Sequence, residues 1–201
     1  PEMTILPSSY LPAISYFVAI LSGDCTIDIG EHYIKRSPRN RTRIMTAQGV
    51  MELSIPIKKA NRPQSAMHSM EIDYSKRWQH QHWITILSAY KSSPFFDHYA
   101  PYFEAIYRRE YRLLTEFNYE LIKLITKLLQ LPLPEVSKDY IKAESGDIDL
   151  RPKGTIESHK SVEPYIQVFF DREPFEANLS IIDLLFCEGP NARVLLMASH
   201  R

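Results

Sequence analysis

The chain has 201 residues, 44% of them hydrophobic, and its 24 Lys and Arg residues balance 24 Asp and Glu residues. This apolar content is enough for the core of a single soluble domain spanning residues 1–201, and a net charge of zero is unlike that of a dedicated nucleic-acid-binding protein. No apolar stretch reaches the roughly 18 residues that a membrane span needs, and no cationic segment precedes the first apolar run, so we expect a cytoplasmic protein. Cys25 and Cys187 are too few and too far apart for a disulfide or metal framework, and we expect two buried, reduced thiols.

A strand, a helix and a second strand are predicted at the start of the chain. Residues 3–6 form a short apolar run, Pro12 suits the first position of a helix, and Gly23 suits the position after its last turn. The alternation within residues 25–29 indicates a half-buried strand. If the two strands pair in parallel, the loop that ends at Tyr10 lies at the carboxyl end of the first strand, where open α/β sheets bind ligands. We therefore expect Tyr10 to lie near the segment that follows the second strand.

That segment is the most strongly charged part of the sequence. Five Lys and Arg residues lie within residues 32–44, and residues 35–62 hold eight cations against one anion, Glu52. Guanidinium groups beside Asn40 and Tyr33 match the flat geometry of phosphate or carboxylate groups. We therefore expect an anionic small molecule, such as a sugar nucleotide or an acyl carrier, to bind here. The alternative is a solvated cationic face that pairs with acidic helices elsewhere.

A third strand is predicted over residues 51–57, and Pro56 favours a sheet edge for it. Residues 61–63 are predicted to form the loop after this strand. Ser75 is a suitable N-cap for the helix that follows.

This helix carries the candidate catalytic residue. Its apolar stripe is formed by Trp78, His82, Ile86 and Ala89. His82 is therefore expected to point inward and His80 toward solvent. A histidine on such a stripe is more often a packed residue than a catalyst, but an unperturbed pKa of about 6.5 suits proton transfer. The histidines share no spacing typical of a metal site, so none is predicted.

Two long segments come next. Apolar residues recur at three- and four-residue steps between Pro101 and Leu131, which predicts one long amphipathic helix or two in succession. The polar segment 135–163 is predicted to be a long surface loop with one short strand.

The last segment predicts a strand over residues 165–170 and a helix over residues 178–186 that ends before Gly189. Ser180 and Asp183 have the spacing of a capping box, and we interpret them as a helix cap rather than as reactive groups. Together the elements predict an α/β fold, in which a small mixed sheet opens with a strand-helix-strand unit and the long helical region packs on it.

Five blocks in order along the chain resemble the WbqC-like proteins of bacteria. These blocks are SSYLPAISYF, EHYIKRSPRNRTRI, LSIPIKK, WQHQHWITILSAYKSSPFF and PYIQVFFDREPFEANLSIIDLLFCEGP. The resemblance is strongest to the branch found in Bacteroidetes. It implies a role in the biosynthesis of O-antigen or another surface polysaccharide, with acyl or aminoacyl transfer to sugars as one proposed activity.

The positions that match the family pattern are Tyr10, Pro12, Tyr16, Tyr33, Lys35, Asn40, Arg41, Arg43, His82 and Asn178. Many relatives have Gln-Pro-Tyr after the first strand and Gly-Tyr in the helix, whereas this chain has Pro7, Ser8, Ser9 and then Ser15-Tyr16. Roles that rest on that glutamine or glycine are therefore not carried over. The opening is also similar to that of nucleotidylyltransferases, but residues 13–16 lack their His-x-Gly-His motif, and we reject nucleotidyl transfer by that route.

Three hypotheses remain open at this point. In the first, the protein is a transferase acting on an activated sugar, and His82 accepts a proton from the attacking group. Its ligand-binding residues would be Tyr10, Tyr33, Lys35, Asn40, Arg41 and Arg43. In the second, the same residues bind a sugar nucleotide or a partner enzyme without catalysis. The third, nucleic-acid binding through residues 35–62, is the least favoured, and no cofactor is assigned.

Overall fold

The computed structural model describes residues 2–59 and 64–201. The predicted loop 61–63 lies outside the described residues. The strands are β1 (Thr4–Pro7), β2 (Cys25–Asp28), β3 (Arg41–Thr46), β4 (Gly49–Ser54), β5 (Glu135–Ser137) and β6 (Ile148–Asp149). The helices are α1 (Ile14–Ile20), α2 (Trp78–Tyr90), α3 (Phe96–Tyr107), α4 (Leu114–Leu129), α5 (Thr155–Ser158), α6 (Ile181–Glu188) and α7 (Asn191–His200), with a 3-10 turn at Met67–Ser69.

A four-stranded parallel sheet forms the centre of the fold. Its strand order is β5-β2-β1-β6, and β3 and β4 form a separate antiparallel hairpin. β1 pairs with β2 from Thr4 opposite Cys25 to Pro7 opposite Asp28. Every residue of β1 is buried, as expected for a parallel strand covered on both faces. The predicted α/β class and the parallel strand-helix-strand opening are confirmed.

The first helix is buried along its whole length and starts later than predicted. All residues of α1 are buried, and α1 contacts β1, α5, α6 and α7. It begins at Ile14, so Pro12 is not its first residue. The Pro12 carbonyl instead accepts a hydrogen bond from the backbone N–H of Ile181 at 2.8 Å, which ties this loop to the start of α6. Both cysteines are free, but Cys25 is half-buried rather than buried.

The basic segment enters a strand that the sequence pattern did not predict. β3 begins at Arg41, and its partner β4 ends at Ser54, three residues before the predicted end. Pro56 cannot donate to a ladder, and beyond it Ile57 makes only an isolated bridge to Ile72.

The central helices agree with the predicted pattern except at their ends. Arg77, not Ser75, is the N-cap of α2, because Ser75 N donates to Asp73 Oδ1 at 2.8 Å in a turn before the helix. The region predicted as one helix or two consists of two, α3 and α4. Pro101 lies inside α3 rather than at its start.

The segment 135–163 is more regular than the predicted surface loop. It contributes both edge strands of the parallel sheet, β5 and β6, and the short helix α5. Leu150 and Arg151 directly after β6 are buried. The segment therefore builds part of the sheet and of the core.

The predicted strand over residues 165–170 is wrong. Gln167 is buried there, and its side-chain Nε2 donates to Glu176 O at 2.8 Å and to Asp183 Oδ2 at 2.9 Å. These side-chain bonds hold the segment without a β-ladder.

The cap of α6 agrees with the prediction in one residue only. Ser180 is the N-cap and accepts from Ile182 N at 3.4 Å. Asp183 does not complete a capping box. Its buried carboxylate accepts hydrogen bonds from the hydroxyls of Tyr90 and Tyr165.

Candidate anion-binding cleft

An open cleft with a volume of about 530 Å³ lies at the base of the β3–β4 hairpin. One side is formed by Tyr33, Lys35, Arg36, Asn40 and Arg41, and the other by residues 54–59. The two sides are joined by a pair of hydrogen bonds. Ile55 N donates to Asn40 O at 2.8 Å, and Asn40 Nδ2 donates to Ile55 O at 2.9 Å. The hairpin therefore fixes the width of the cleft.

Cationic side chains dominate the lining of this cleft. They are Lys35, Arg36, Arg41, Lys58 and Lys59, and the described lining contains no carboxylate. Arg41 Nη1 lies 3.1 Å from Glu52 Oε1, and Lys58 Nζ lies 3.9 Å from Glu71 Oε1. Within residues 2–59 and 64–201, the other three cations have no acidic partner inside 4 Å. Like charges held in one concavity raise the local concentration of anions.

Two polar atoms in the cleft wall lack partners. Asn40 is 6% exposed, and its Oδ1 has no hydrogen-bond donor in the described structure. Arg41 Nε is likewise buried without an acceptor there. Nearby, Tyr33 is half-buried, and this burial raises the pKa of its hydroxyl. The wall thus contains one acceptor and one donor without partners, and a protonated phenol, beside the cations.

A narrower groove of about 130 Å³ adjoins the cleft. Arg36 and Arg41 line both cavities and so form the boundary between them. The backbone of Arg36 is in the left-handed region, with φ of 53°. Such strain in a non-glycine residue is typical of functional sites. Arg43 lines the groove, not the cleft, and its Nη2 lies 3.1 Å from Glu176 Oε1.

The catalytic candidate His82 lies behind the cleft wall. It is 7% exposed and is not among the residues that line the cleft. Its Nδ1 lies 2.8 Å from the hydroxyl of Tyr10, which in turn lies 2.5 Å from the hydroxyl of Tyr107. Burial lowers the pKa of His82 to about 4, although a hydrogen bond with the backbone of Ser54 opposes this shift. His82 is therefore neutral at physiological pH, and Ser54, which lines the cleft, connects it to the site.

The predicted ligand-binding residues are divided among these places. Tyr33, Lys35, Asn40 and Arg41 line the cleft, and Tyr10 and Arg43 line the groove. Tyr10 is fully buried, and burial raises its pKa well above the ordinary value. Its backbone N–H donates to Pro38 O at 3.0 Å, so the expected proximity of Tyr10 to the basic segment is found.

Some site residues were not among the predicted ones. Arg36, Lys58 and Lys59 were visible only as part of the local charge excess. Asn118 lines neither cavity but supports the segment beside them: it is fully buried on α4, and its Nδ2 donates to Ser8 Oγ at 3.1 Å and to Arg39 O at 2.9 Å. An asparagine on the apolar face of an amphipathic helix was the available signal for this residue.

Among the described residues, no group of His, Cys, Asp and Glu side chains is arranged to hold a metal ion. In the same part of the chain, none of the helices has the length and apolar character needed to cross a bilayer.

Comparison with known proteins shows what this chain is similar to. A protein of Mycobacterium tuberculosis (strain ATCC 25618 / H37Rv), described as "Uncharacterized protein Rv1507c", is 25% identical in an alignment that covers 95% of each chain. No solved structure matches. The model of the WbqC-like protein family matches residues 8–151, which include the whole lining of the cleft and most of the parallel sheet. The chain therefore belongs to the WbqC-like protein family.

Proposed function

We propose that the protein binds an activated sugar, one carrying a phosphate or pyrophosphate group, in the cationic cleft. One observation carries this proposal: five cations converge on a single cleft whose described lining holds no carboxylate. A phosphorylated ligand would neutralise the charges of Lys35, Arg36 and Lys59. Hydrogen bonds that are assisted by charge contribute about 1.5–3 kcal/mol each, so a few of them support useful affinity.

An acceptor atom in the wall favours a sugar over a bare phosphate. Asn40 Oδ1 needs a donor, and a sugar hydroxyl supplies one. Tyr33 and Arg41 Nε can donate to further ligand oxygens. A volume of about 530 Å³ is within the usual range for small-molecule sites.

Nucleic acid is a weaker candidate for the same cations. The formal net charge of the chain is zero, and the charges line a concave cleft rather than an extended face. A small polyanion fits this arrangement better.

Group transfer to the bound sugar is the second candidate function. It is favoured by the position of a neutral imidazole directly behind Ser54, which lines the cleft. In this hypothesis His82 accepts the proton of an attacking amine or hydroxyl after a local rearrangement of the wall. The family context implied by the resemblance, surface-polysaccharide biosynthesis, accommodates both candidates.

Isothermal titration calorimetry tests the binding proposal. The titrants are UDP-N-acetylglucosamine, inorganic pyrophosphate, free N-acetylglucosamine and a mixed-sequence oligonucleotide. The sugar nucleotide should bind most tightly, pyrophosphate more weakly and the free sugar weakest of all. Stronger binding of the oligonucleotide, with a steep loss of affinity as salt rises, would contradict the proposal.

Mass spectrometry tests the transfer candidate. The protein is incubated with the sugar nucleotide and a panel of acyl and aminoacyl donors, and His82→Gln is compared with wild type. A modified sugar formed only by wild type, with equal ligand affinity in both proteins, supports proton transfer by His82. Equal product from both proteins excludes that role.

A further inference from the structure

A second cavity, of about 620 Å³, lies on the opposite side of the segment 32–36 from the cationic cleft. Successive residues of this segment line the two cavities in turn. His32 and Ile34 line the second cavity, whereas Tyr33 and Lys35 line the cleft. One short segment therefore separates two cavities of different chemistry.

The second cavity lies at the carboxyl edge of the parallel sheet. Most of its lining comes from two segments that leave this edge. Gly30, Glu31, His32 and Ile34 follow β2, and Asp149, Arg151 and Pro152 lie at the end of β6 and after it. These strands flank β1 on its two sides. Sheets of this type bind ligands at this edge, where connections leave toward opposite sides.

A buried network of charges forms the floor of this cavity. Arg151 donates to the carboxylates of Asp28 and Asp149, and Arg39 Nη2 donates to Glu31 Oε1 at 2.6 Å. Arg39 Nη2 also donates to Arg151 O at 2.8 Å, which joins the two pairs. The network holds three carboxylates and two guanidiniums, so it carries one negative charge in excess.

Glu31 is the member of this network whose carboxylate is incompletely hydrogen-bonded. This residue is 5% exposed and lines the cavity, yet its Oε2 has no hydrogen-bond donor in the described structure. A buried carboxylate oxygen without a donor is costly, and such atoms are rare in folded proteins. Burial raises the pKa of Glu31, and the hydrogen bond from Arg39 opposes that shift.

An aromatic ring forms another wall. Tyr140 is 64% exposed, and the guanidinium of Arg151 lies 4.7 Å from the centre of its ring. The contact holds the ring beside the carboxylates, where its edge and hydroxyl can contact a ligand.

We propose that this cavity is a second binding site, for a small ligand whose ammonium or hydroxyl groups donate to Glu31 Oε2. This site goes beyond the proposed function. It would select ligands that donate hydrogen bonds, whereas the cleft selects anions. An amino sugar or another amino alcohol has the required chemistry, since its ammonium neutralises the excess charge and its carbon skeleton packs on Tyr140.

Nuclear magnetic resonance of the full ¹⁵N-labelled chain tests the site, with D-glucosamine, D-glucose and D-glucuronate as probes. Glucosamine should shift the amide signals of Gly30, Glu31 and His32 and leave those of Lys58 and Lys59 unchanged. Glucose should bind more weakly, and glucuronate should not bind. Shifts confined to the cationic cleft, no shifts at all, or equal binding of glucuronate would overturn the proposal.

Two variants add a second test. Glu31→Gln should weaken glucosamine binding by about tenfold or more, because it removes a charged acceptor. Because that change disturbs a buried ion pair, Tyr140→Ala is the milder variant, and it should weaken binding roughly two- to fivefold. Tyr102→Ala, at an exposed tyrosine of α3, is the matched control. Unchanged glucosamine affinity in Tyr140→Ala would contradict the assigned position of the ligand.

Discussion

The cationic cleft and the charge network at the sheet edge use the same residue types in opposite ways. In the network, Arg39 and Arg151 are 2% and 5% exposed and are paired with carboxylates. In the cleft, Lys35, Arg36 and Lys59 are exposed and lack acidic partners within the described residues. Paired buried charges hold the fold in one arrangement, whereas unpaired charges in a cavity remain available for a ligand. A cluster of arginines in a sequence therefore contains residues with different roles.

The largest expected effect on stability comes from disrupting the buried network of Arg39, Arg151 and their carboxylate partners. Arg151→Met leaves the carboxylate of Asp28, which is 0% exposed, without its guanidinium. Removing one partner of a buried pair typically costs about 3–5 kcal/mol, so the free energy of unfolding should fall by that order. Urea denaturation measures it.

The control for this change is Arg172→Met. Arg172 lies 3.7 Å from Asp171 in an exposed pair, and its loss should change the free energy of unfolding by less than about 1 kcal/mol. If the two substitutions changed the free energy of unfolding equally, the proposed difference between buried and exposed ion pairs would be contradicted.

The next effect is a dependence of stability on pH that arises from His82. Its pKa is about 4 in the folded protein against an ordinary 6.5, so between these values the unfolded chain binds the extra proton. The free energy of unfolding should therefore fall as pH drops through this window, by about 3 kcal/mol in total for this group.

Denaturation of wild type and His82→Gln across pH 4 to 7 isolates this contribution. Glu31 and Asp183 have raised pKa values and contribute with the opposite sign, so the difference between the two proteins is the quantity of interest. Parallel curves for the two proteins would contradict the buried, neutral state of His82.

The smallest expected effect concerns the last arginine of the basic segment. Arg43 and Glu176 form an exposed pair beside the groove, with side-chain exposures of 46% and 40%. Arg43→Met should change the free energy of unfolding by less than about 1 kcal/mol and leave pyrophosphate affinity in the cleft unchanged. A large loss of pyrophosphate affinity in this variant would indicate that the anion binds in the groove rather than in the cleft.

The sequence was most informative where local patterns coincide with burial. The alternation within residues 25–29 and the apolar run of residues 3–6 predict two parallel strands, and the stripe on α2 predicts an inward His82. The local charge excess predicts that an anion site lies in the basic segment. It does not separate Arg39, which pairs with Glu31, from Arg36, because that division depends on tertiary contacts such as the bond from Arg39 to the carbonyl of Arg151.

Other features left too little signal in the sequence. β6 has two residues, and its position depends on pairing with Thr4 and Ile5 rather than on any pattern of its own. The role of Arg151 depends on Asp28, 123 positions earlier in the chain. Residues 165–170 form an apolar run typical of a strand, but hydrogen bonds from the side chain of Gln167 hold the segment where a strand would need a neighbouring strand. α7 was not predicted. Asp183 was assigned to a local helix cap, although its carboxylate accepts hydrogen bonds from Tyr90 and Tyr165, which lie outside the helix.

The most direct measurement is the affinity of inorganic pyrophosphate for wild type and for Lys35→Met/Arg36→Met, determined by isothermal titration calorimetry. The matched control is Lys123→Met/Arg109→Met, which removes the same charges from exposed positions away from the cleft. If the unpaired cations bind the ligand, the cleft variant should lose affinity by about a hundredfold, with unchanged stability, while the control stays close to wild type. Equal affinity in all three proteins would contradict the assignment of the cleft as the anion site.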